Sequence, residues 1–316
     1  MSTNTTPIGK PHVTLIAGPT ASGKSGLAVE LALALEKRGK QAVIINADSA
    51  QVYSDLSVLS ARPSDEEMRG VEHRLFGKWD GSLACSAADW AEKAKELIGE
   101  THTRGAVPIL VGGTGMYLQI LLEGIAPIPL IKDDIRNEIR ALETSNAYAA
   151  LQDKDPERAA QLNAADSQRI ARALEVVRST GKTLSEWQKH KEGGIADRIT
   201  LHPLIMLPER TWLYERCDRR FAQMLDEGAL EEVAALNARN LDPGLPVMRA
   251  IGVPEITAYQ RQEITRDELI AAGAQATRNY AKRQYTWFRN QTPEEWSRLE
   301  SQSYDIDALF VLLLQH

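Results

Sequence analysis

Cysteine is nearly missing from this chain. Cys85 and Cys217 are the only two among 316 residues, and they fit no metal or disulfide spacing. That excludes a disulfide scaffold and suits a reducing cytosol, so a cytoplasmic protein is expected. The six histidines are scattered, with no two at ligand spacing. No window approaches eighteen apolar residues, and residues 1–12 hold no apolar signal core, which argues against a membrane partner. Net positive charge is missing too. The formal charge is −6, so no global basic field draws in nucleic acid, and any such partner needs a local patch. No repeat or low-complexity tract is present. What remains, 43% apolar and 25% charged residues, is ordinary for a globular protein. The length suits one large domain, or a core domain carrying an insertion.

The most informative stretch is Gly18-Pro19-Thr20-Ala21-Ser22-Gly23-Lys24-Ser25. It follows an apolar run, Val13 to Ala17, and opens an amphipathic run through Leu27, Leu31 and Leu35. Strand, glycine-rich loop and helix are the context in which G-x-x-x-x-G-K-S/T reads as a phosphate-binding P-loop. Gly18 and Gly23 are expected to supply backbone angles that side chains forbid. Loop N–H groups and the helix dipole would then face phosphate oxygens, with Lys24 adding a point charge. Ser25 is the candidate ligand for a magnesium ion, Mg2+, bridging the same oxygens. The bland alternative is a strand–helix turn without a ligand.

Further along, Ala42 to Ala47 reads as a buried strand running into Asp48-Ser49-Ala50-Gln51. Arg62 to Gly81 has the composition of irregular loops. Ala87 to Thr103 reads as a helix, Pro108 to Val111 as a strand, and Met116 to Leu122 as another helix. This alternation predicts an α/β fold, a mostly parallel P-loop NTPase-like sheet with helices on both faces. From Gly124 to Ala196 no strand signal occurs and the periodicity is helical, so an all-helical insertion is expected. Asp166 is placed to cap a helix whose Ile170, Ala173, Leu174 and Val177 share a face, closed by Gly181. The expected division is 1–124 with 197–316 as core and 125–196 as insertion. Leu201 to Leu207 returns to the sheet, with Pro203 hinting at an edge. Everything from Glu209 onward reads as helical, including a stripe of Leu213, Cys217, Phe221, Met224 and Leu225 and a long helix from Asp267 to Phe288.

Three strand ends thus carry unusual residues: the loop, Asp48, and Gly113-Thr114. In an open parallel sheet these face one crevice. Asp48 reads as a carboxylate near magnesium, as a base acting on a nucleophile, or as a solvated turn residue. Gly112 stands where motor ATPases and GTPases usually carry an acidic residue, which counts against routine nucleotide hydrolysis. On the last long helix, Arg278, Lys282 and Arg289 fall within about 40° of each other, with Tyr285 on the same stripe. Leu269, Ala276, Tyr280 and Trp287 lie opposite and are expected to pack inward. Leu269 to Pro293 contains no Asp or Glu, so the stripe reads either as a nucleic-acid face or as a solvated basic face. Arg169 and Arg172 make a second, smaller basic spot.

The chain resembles the tRNA dimethylallyltransferases, which prenylate the adenine just 3′ of the anticodon. The likeness runs from Val13 to Arg289 through GPTASGKS (Gly18 to Ser25), NADSAQVY (Asn46 to Tyr53), LVGGTGMYLQ (Leu110 to Gln119), DSQRIARALEV (Asp166 to Val176), RAIG (Arg249 to Gly252) and TRNYAKRQYTWFR (Thr277 to Arg289). It implies that the loop holds the pyrophosphate of dimethylallyl diphosphate, with ATP no substrate. It implies that Asp48 is the general base, with Thr114 beside it and Lys24 assisting departure of the diphosphate. It implies tRNA contacts from Asp48, Ser49, Ala50, Gln51, Thr114, Arg136, Gln168, Arg169, Arg172, Arg249, Gly252, Arg278, Lys282, Arg283, Gln284 and Arg289. The insertion would clamp the anticodon stem-loop, with a monomer as the working unit. Two departures stand out. The family commonly has Gly-Thr-Ala-Lys-Pro where this chain has Leu59-Ser60-Ala61-Arg62-Pro63, and an aromatic where it has Val253-Pro254. Rival readings are a P-loop small-molecule kinase, prenylation of free adenine nucleotides, and a non-catalytic RNA-binding module.

Overall fold

A computed structural model describes residues 9–311. Residues 1–8, read above for their lack of a signal core, lie outside it. The chain divides into two compact units, one formed by the segments up to Leu121 and from Ala196 onward, the other by Leu122–Ile195.

The larger unit begins with β1 (His12–Ala17), α1 (Lys24–Glu36), β2 (Ala42–Asn46), α2 (Asp65–Met68), β3 (Glu72–Arg74), α3 (Ala87–Thr103), β4 (Val107–Gly112) and α4 (Gly115–Glu123). Next come β5 (Gly124–Ile125), α5 (Asp133–Arg140), α6 (Thr144–Lys154), α7 (Pro156–Gln161), α8 (Ser167–Thr180), α9 (Leu184–Gln188) and β6 (Glu192–Gly193). The chain then runs through β7 (Thr200–Met206), α10 (Arg210–Asp226), α11 (Ala229–Ala238), α12 (Val253–Gln260), α13 (Arg266–Gln291), β8 (Ser297–Leu299) and α14 (Ile306–Leu309).

Six strands form one sheet in the order β3-β2-β4-β1-β7-β8, with every pairing parallel. Strands covered on both faces read as continuous apolar runs, which is why Val13 to Ala17 gave no alternation. Ile16 aligns with Val111 and Leu204, and Ile44 with Ile109. These side chains meet Leu27, Leu31 and Leu35 of α1 in one core cluster. The neighbouring positions Leu15, Ile45, Leu110 and Ile205 are equally buried and point to the other face. The crossover through α1 runs from β1 outward to β2, and the one through α3 runs back from β3 to β4. Right-handed crossovers in opposite directions put their helices on opposite faces.

Several segments differ from the sequence reading. Arg62 to Gly81 is not wholly irregular: it holds α2 and the edge strand β3. Both are too short to show a period. β7 is not an edge strand along its whole length, because β8 pairs with Leu204 to Met206, but at Pro203 its outer side has no strand partner among the described residues. The region after Glu209 is not all helical, since β8 closes that side of the sheet.

In the smaller unit, the Asp166 side chain accepts the Arg169 N–H at 3.1 Å, and Gly181 ends α8 at φ 72°. Ile170, Ala173 and Leu174 pack with Ile139, Ala147 and Leu151. The segment is helical except for the two-residue pairing of β5 with β6, Gly124 opposite Gly193. A clip of that length leaves no pattern to read.

Gly112 ends β4 where a Cβ would fall on the Ala47 carbonyl. Backbone cannot yield as a flexible side chain does, so Gly112→Ala is expected to destabilise the fold by about 3 kcal/mol or more. Gly99, in mid-α3, has open space around its Cβ position. Gly99→Ala is therefore expected to stabilise by up to about 1 kcal/mol. Urea midpoints of the two variants check both signs.

Candidate active site at the strand ends

β1, β2 and β4 stop side by side, and their hydrogen bonding continues into the loops. Gly18 N–H donates to Gly112 O at 3.3 Å, Ala47 N–H to Val111 O at 2.7 Å, and Thr114 N–H to Ala47 O at 3.1 Å. The three stretches singled out from the sequence are thereby brought together.

In the phosphate loop the glycines act differently from expectation. Gly23 is left-handed at φ 94°, but Gly18 has no positive φ. Gly18 is small because a Cβ there would sit 2.5 Å from Met206 O. The other left-handed turn falls on Ala21, at φ 63°. Ser22 Oγ is buried with no partner among the described residues, an orphaned hydroxyl inside the loop. Lys24 is 9% exposed and donates to Pro19 O at 3.2 Å. Burial holds its pKa below the ordinary lysine value, opposed by the attraction of Asp48. Two side chains grip the loop from outside. Arg216 Nε donates to Ala21 O at 3.0 Å, and Gln284 Oε1 accepts the Thr20 N–H at 2.7 Å.

On the β2 side Asp48 is 5% exposed. Its Oδ1 accepts the Ala50 N–H at 3.0 Å, leaving Oδ2 uncommitted among the described residues. The Asn46 side chain steadies this turn, accepting the Asp48 N–H at 2.9 Å and donating to Asp48 O at 3.0 Å. Trp90 Nε1 donates to Asn46 O at 2.8 Å and stacks on Tyr117. Thr114 Oγ1 accepts the Ser49 N–H at 2.9 Å and donates to Ser49 Oγ at 3.1 Å, with the Tyr280 side chain beside the pair. Thr114 therefore fixes the turn that carries Asp48. It is not among the residues lining the cavity.

That cavity, about 320 Å³, opens between these loops and α10 and α13. Thr20, Lys24, Ser25 and Asp48 line its polar end, and Leu56, Leu59, Phe221, Met224 and Ile251 its apolar wall. Arg220, Arg249 and Arg283 supply further positive charge. Arg220 was missed in the sequence. It is a half-buried cation whose pKa is lowered by desolvation, and it donates to Ala61 O at 3.4 Å. The signal existed: Arg220 lies three residues after Cys217 and one before Phe221, on the flank of an apolar stripe, where a surface arginine is out of place. Tyr280 also lines the cavity instead of only packing inward.

The apolar wall is strapped from α11. Glu232 accepts backbone N–H bonds from Ser57, Val58 and Leu59, and Arg239 pairs with Asp55 and Asp80. Within the Leu59-Ser60-Ala61-Arg62-Pro63 departure, Ser60 Oγ donates to Leu56 O at 2.8 Å, so a hydroxyl still closes this turn. Gln51 Nε2 donates to Ala61 O at 2.7 Å. Gly252, at φ 93°, seats Leu59 where a Cβ would be 2.5 Å from its Cδ1.

Residues 51–291 match the family model described as IPP transferase. A relative from Erythrobacter litoralis, named tRNA dimethylallyltransferase, is 66% identical over 307 residues, 97% of each chain. One of the same name from Novosphingobium aromaticivorans is 64% identical over 263 residues, 83% of this chain and 94% of its own. This chain belongs to the tRNA dimethylallyltransferase family. Solved structures agree. The tRNA isopentenylpyrophosphate transferase of Bacillus halodurans superposes with a TM-score of 0.68 at 32% identity, covering 97% of this chain and 95% of that one. A eukaryotic dimethylallyltransferase described as acting on tRNA gives 0.74 at 27% identity, covering 88% and 70%.

The positions that the dimethylallyltransferase likeness marks for RNA are spread over both units. Ser49, Ala50, Gln51, Arg249 and Arg283 line the cavity, with Arg283 over the Tyr280 ring at 5.7 Å. Lys282 and Arg289 are exposed on α13, with no ion pair among the described residues. Arg278 is not free, since Asp218 of α10 pairs with it. The acid-free run from Leu269 to Pro293 misled because the partner comes from another helix. Gln284 is 5% exposed, placed inside and not on the RNA stripe. The buried face of α13 is Leu269, Gly273, Ala274, Ala281, Gln284 and Phe288. Ala276 and Trp287 are only half-buried, and Tyr285 packs toward Leu213 and Cys217. The expected inward face was displaced because α13 is held by α10 on one side and by the Gly113 turn on another. In the smaller unit Gln168 is exposed, while Arg136, Arg169 and Arg172 lie near Asp133, Asp166 and Glu175.

Burying the Lys24 charge costs stability at every pH below its folded pKa, and the cost fades as pH rises toward the unfolded value of 10.5. Lys24→Met removes that cost at neutral pH. Its melting temperature is expected not to fall, while affinity for inorganic diphosphate drops about 10–100-fold, the loss of a charged hydrogen bond. Calorimetric melting and titration with diphosphate check the two halves separately.

Proposed function

We propose that this protein transfers a dimethylallyl group from dimethylallyl diphosphate to the exocyclic amine of an adenine beside the anticodon of tRNA, releasing diphosphate. One observation carries the reading: an anion loop with a buried lysine and an apolar wall share one cavity with a buried carboxylate. A small-molecule kinase needs room for a nucleotide beyond the phosphates. Here that side is lined by Leu56, Leu59, Phe221 and Met224, which suit a short hydrocarbon. Relatives named for tRNA disfavour a free-nucleotide acceptor.

In the reaction the bond between the allylic carbon and the diphosphate oxygen breaks as the amine nitrogen bonds that carbon. Asp48 Oδ2 takes the amine proton, and the electron pair leaves on diphosphate. Lys24, Arg220 and the loop amides offset the charge that develops there. Asn46 and Thr114 hold the Asp48 turn. Ser25 and Asp48 offer hard oxygen donors at the polar end, which fits magnesium carried largely by the diphosphate and water. No cluster of three His, Cys, Asp or Glu that could cage a metal exists among the described residues. When bound, magnesium supplies further charge neutralisation on the leaving diphosphate. An adenine must leave its stack to enter the cavity. Lys282, Arg283 and Arg289, with the helical unit, are the RNA-facing candidates. Among the described residues no helix is long and apolar enough to cross a membrane.

Asp48→Asn keeps the shape of the turn and removes the base. Its single-turnover transfer rate is expected to fall about 10²–10⁴-fold, with tRNA affinity nearly unchanged. Retention of the wild-type rate at saturating donor, together with lost magnesium-dependent diphosphate binding, would move Asp48 to the metal side and count against base catalysis.

A further inference from the structure

Gln284 stands on α13 with both ends of its amide in use. Oε1 accepts the Thr20 N–H at 2.7 Å, and Nε2 donates to Gly113 O at 2.9 Å. Thr20 belongs to the phosphate loop. Gly113 leads into Thr114, whose hydroxyl holds the Ser49 turn next to Asp48. One amide group therefore spans the two sides of the cavity on which donor and acceptor would sit. Its place is reserved on the opposite side as well, because a Cβ on Gly113 would collide with Nε2. One turn earlier on the same helix, the Tyr280 side chain lies beside Thr114 and Ser49. The exposed Lys282 and Arg289 belong to this helix too. A buried amide with two good partners is rigid, and removing it strands a backbone N–H and a carbonyl.

We propose that Gln284 is a positioning residue for the transfer reaction: it sets the phosphate loop against the Asp48 turn and ties that spacing to the RNA-facing helix. The inference rests on the transfer reading above. It places Gln284 away from the reacting atoms, acting through Thr20 and Gly113. Transfer requires the carbon and the attacking nitrogen to lie about 3–3.5 Å apart, and a misplacement of about 1 Å costs on the order of 10²-fold in rate. Loss of Gln284 therefore lowers the chemical step more than it lowers binding.

The test uses the full chain with Gln284→Met, which fills the same slot without hydrogen bonds, and Gln284→Glu, which keeps the Thr20 bond and cannot donate to Gly113. Single-turnover transfer is measured at saturating unmodified tRNA and dimethylallyl diphosphate, alongside tRNA affinity and melting temperature. The expected result is a rate about 10–10²-fold lower in both variants. Affinity for tRNA should stay within about threefold, as expected when only the positioned state is lost. A folded variant of either kind that melts lower yet transfers at the wild-type rate overturns the inference, leaving Gln284 a packing residue. Wild-type protein that transfers no label to tRNA overturns the transfer reading itself, and the inference with it.

Discussion

Where β1, β2 and β4 end there is no space for side chains, and the site is arranged around that fact. Gly112 lies against the Ala47 carbonyl, Gly113 against the Gln284 amide, and Gly18 against Met206 O. Three loops can then share hydrogen bonds that would otherwise stop with the strands. The closeness also explains why β4 ends in Gly112, where nucleotide hydrolases of this sheet type usually place an acid. The space an acidic side chain would need is filled by the turn leading to Asp48. The carboxylate of this site thus comes from β2, the strand next to β4, and faces the loop from across the cavity.

A second constraint is electrostatic. Lys24 and Arg220 are desolvated cations with lowered pKa values, and Asp48 is a buried carboxylate close enough to influence both. Buried charges without close partners are costly, and folds keep them where a ligand completes the set. An anionic diphosphate is such a ligand. In the proposed reading the apolar wall beside these groups, held by Glu232 of α11 and by Arg239 at its end, selects what the diphosphate is attached to. Family membership and cavity chemistry thus point the same way by independent routes.

Much of this was legible in the residues, because the informative signals were local. The phosphate loop, the helix from Ala87 to Thr103, and the cap at Asp166 are set by neighbours within a turn. Features built from distant residues were not. Asp218 neutralises Arg278 from another helix, and Gln284 lies 264 residues from its partner Thr20. Arg220 becomes a cavity residue only once α10 is docked. The edge strands β3 and β8 are three residues each, shorter than any periodic pattern. Gly18 was flagged for the wrong reason, since a close approach cannot be told from a positive φ in a sequence.

The central claim is that the loop at Gly18 to Ser25 serves a prenyl donor and that RNA is the acceptor. It is tested most directly by giving the protein unmodified tRNA and magnesium with either dimethylallyl diphosphate labelled in the hydrocarbon or ATP labelled in the terminal phosphate. The account expects the hydrocarbon label to appear in tRNA, on an adenine, while the phosphate label stays on ATP. Transfer of the phosphate label to any acceptor, with no hydrocarbon label in tRNA, would contradict it.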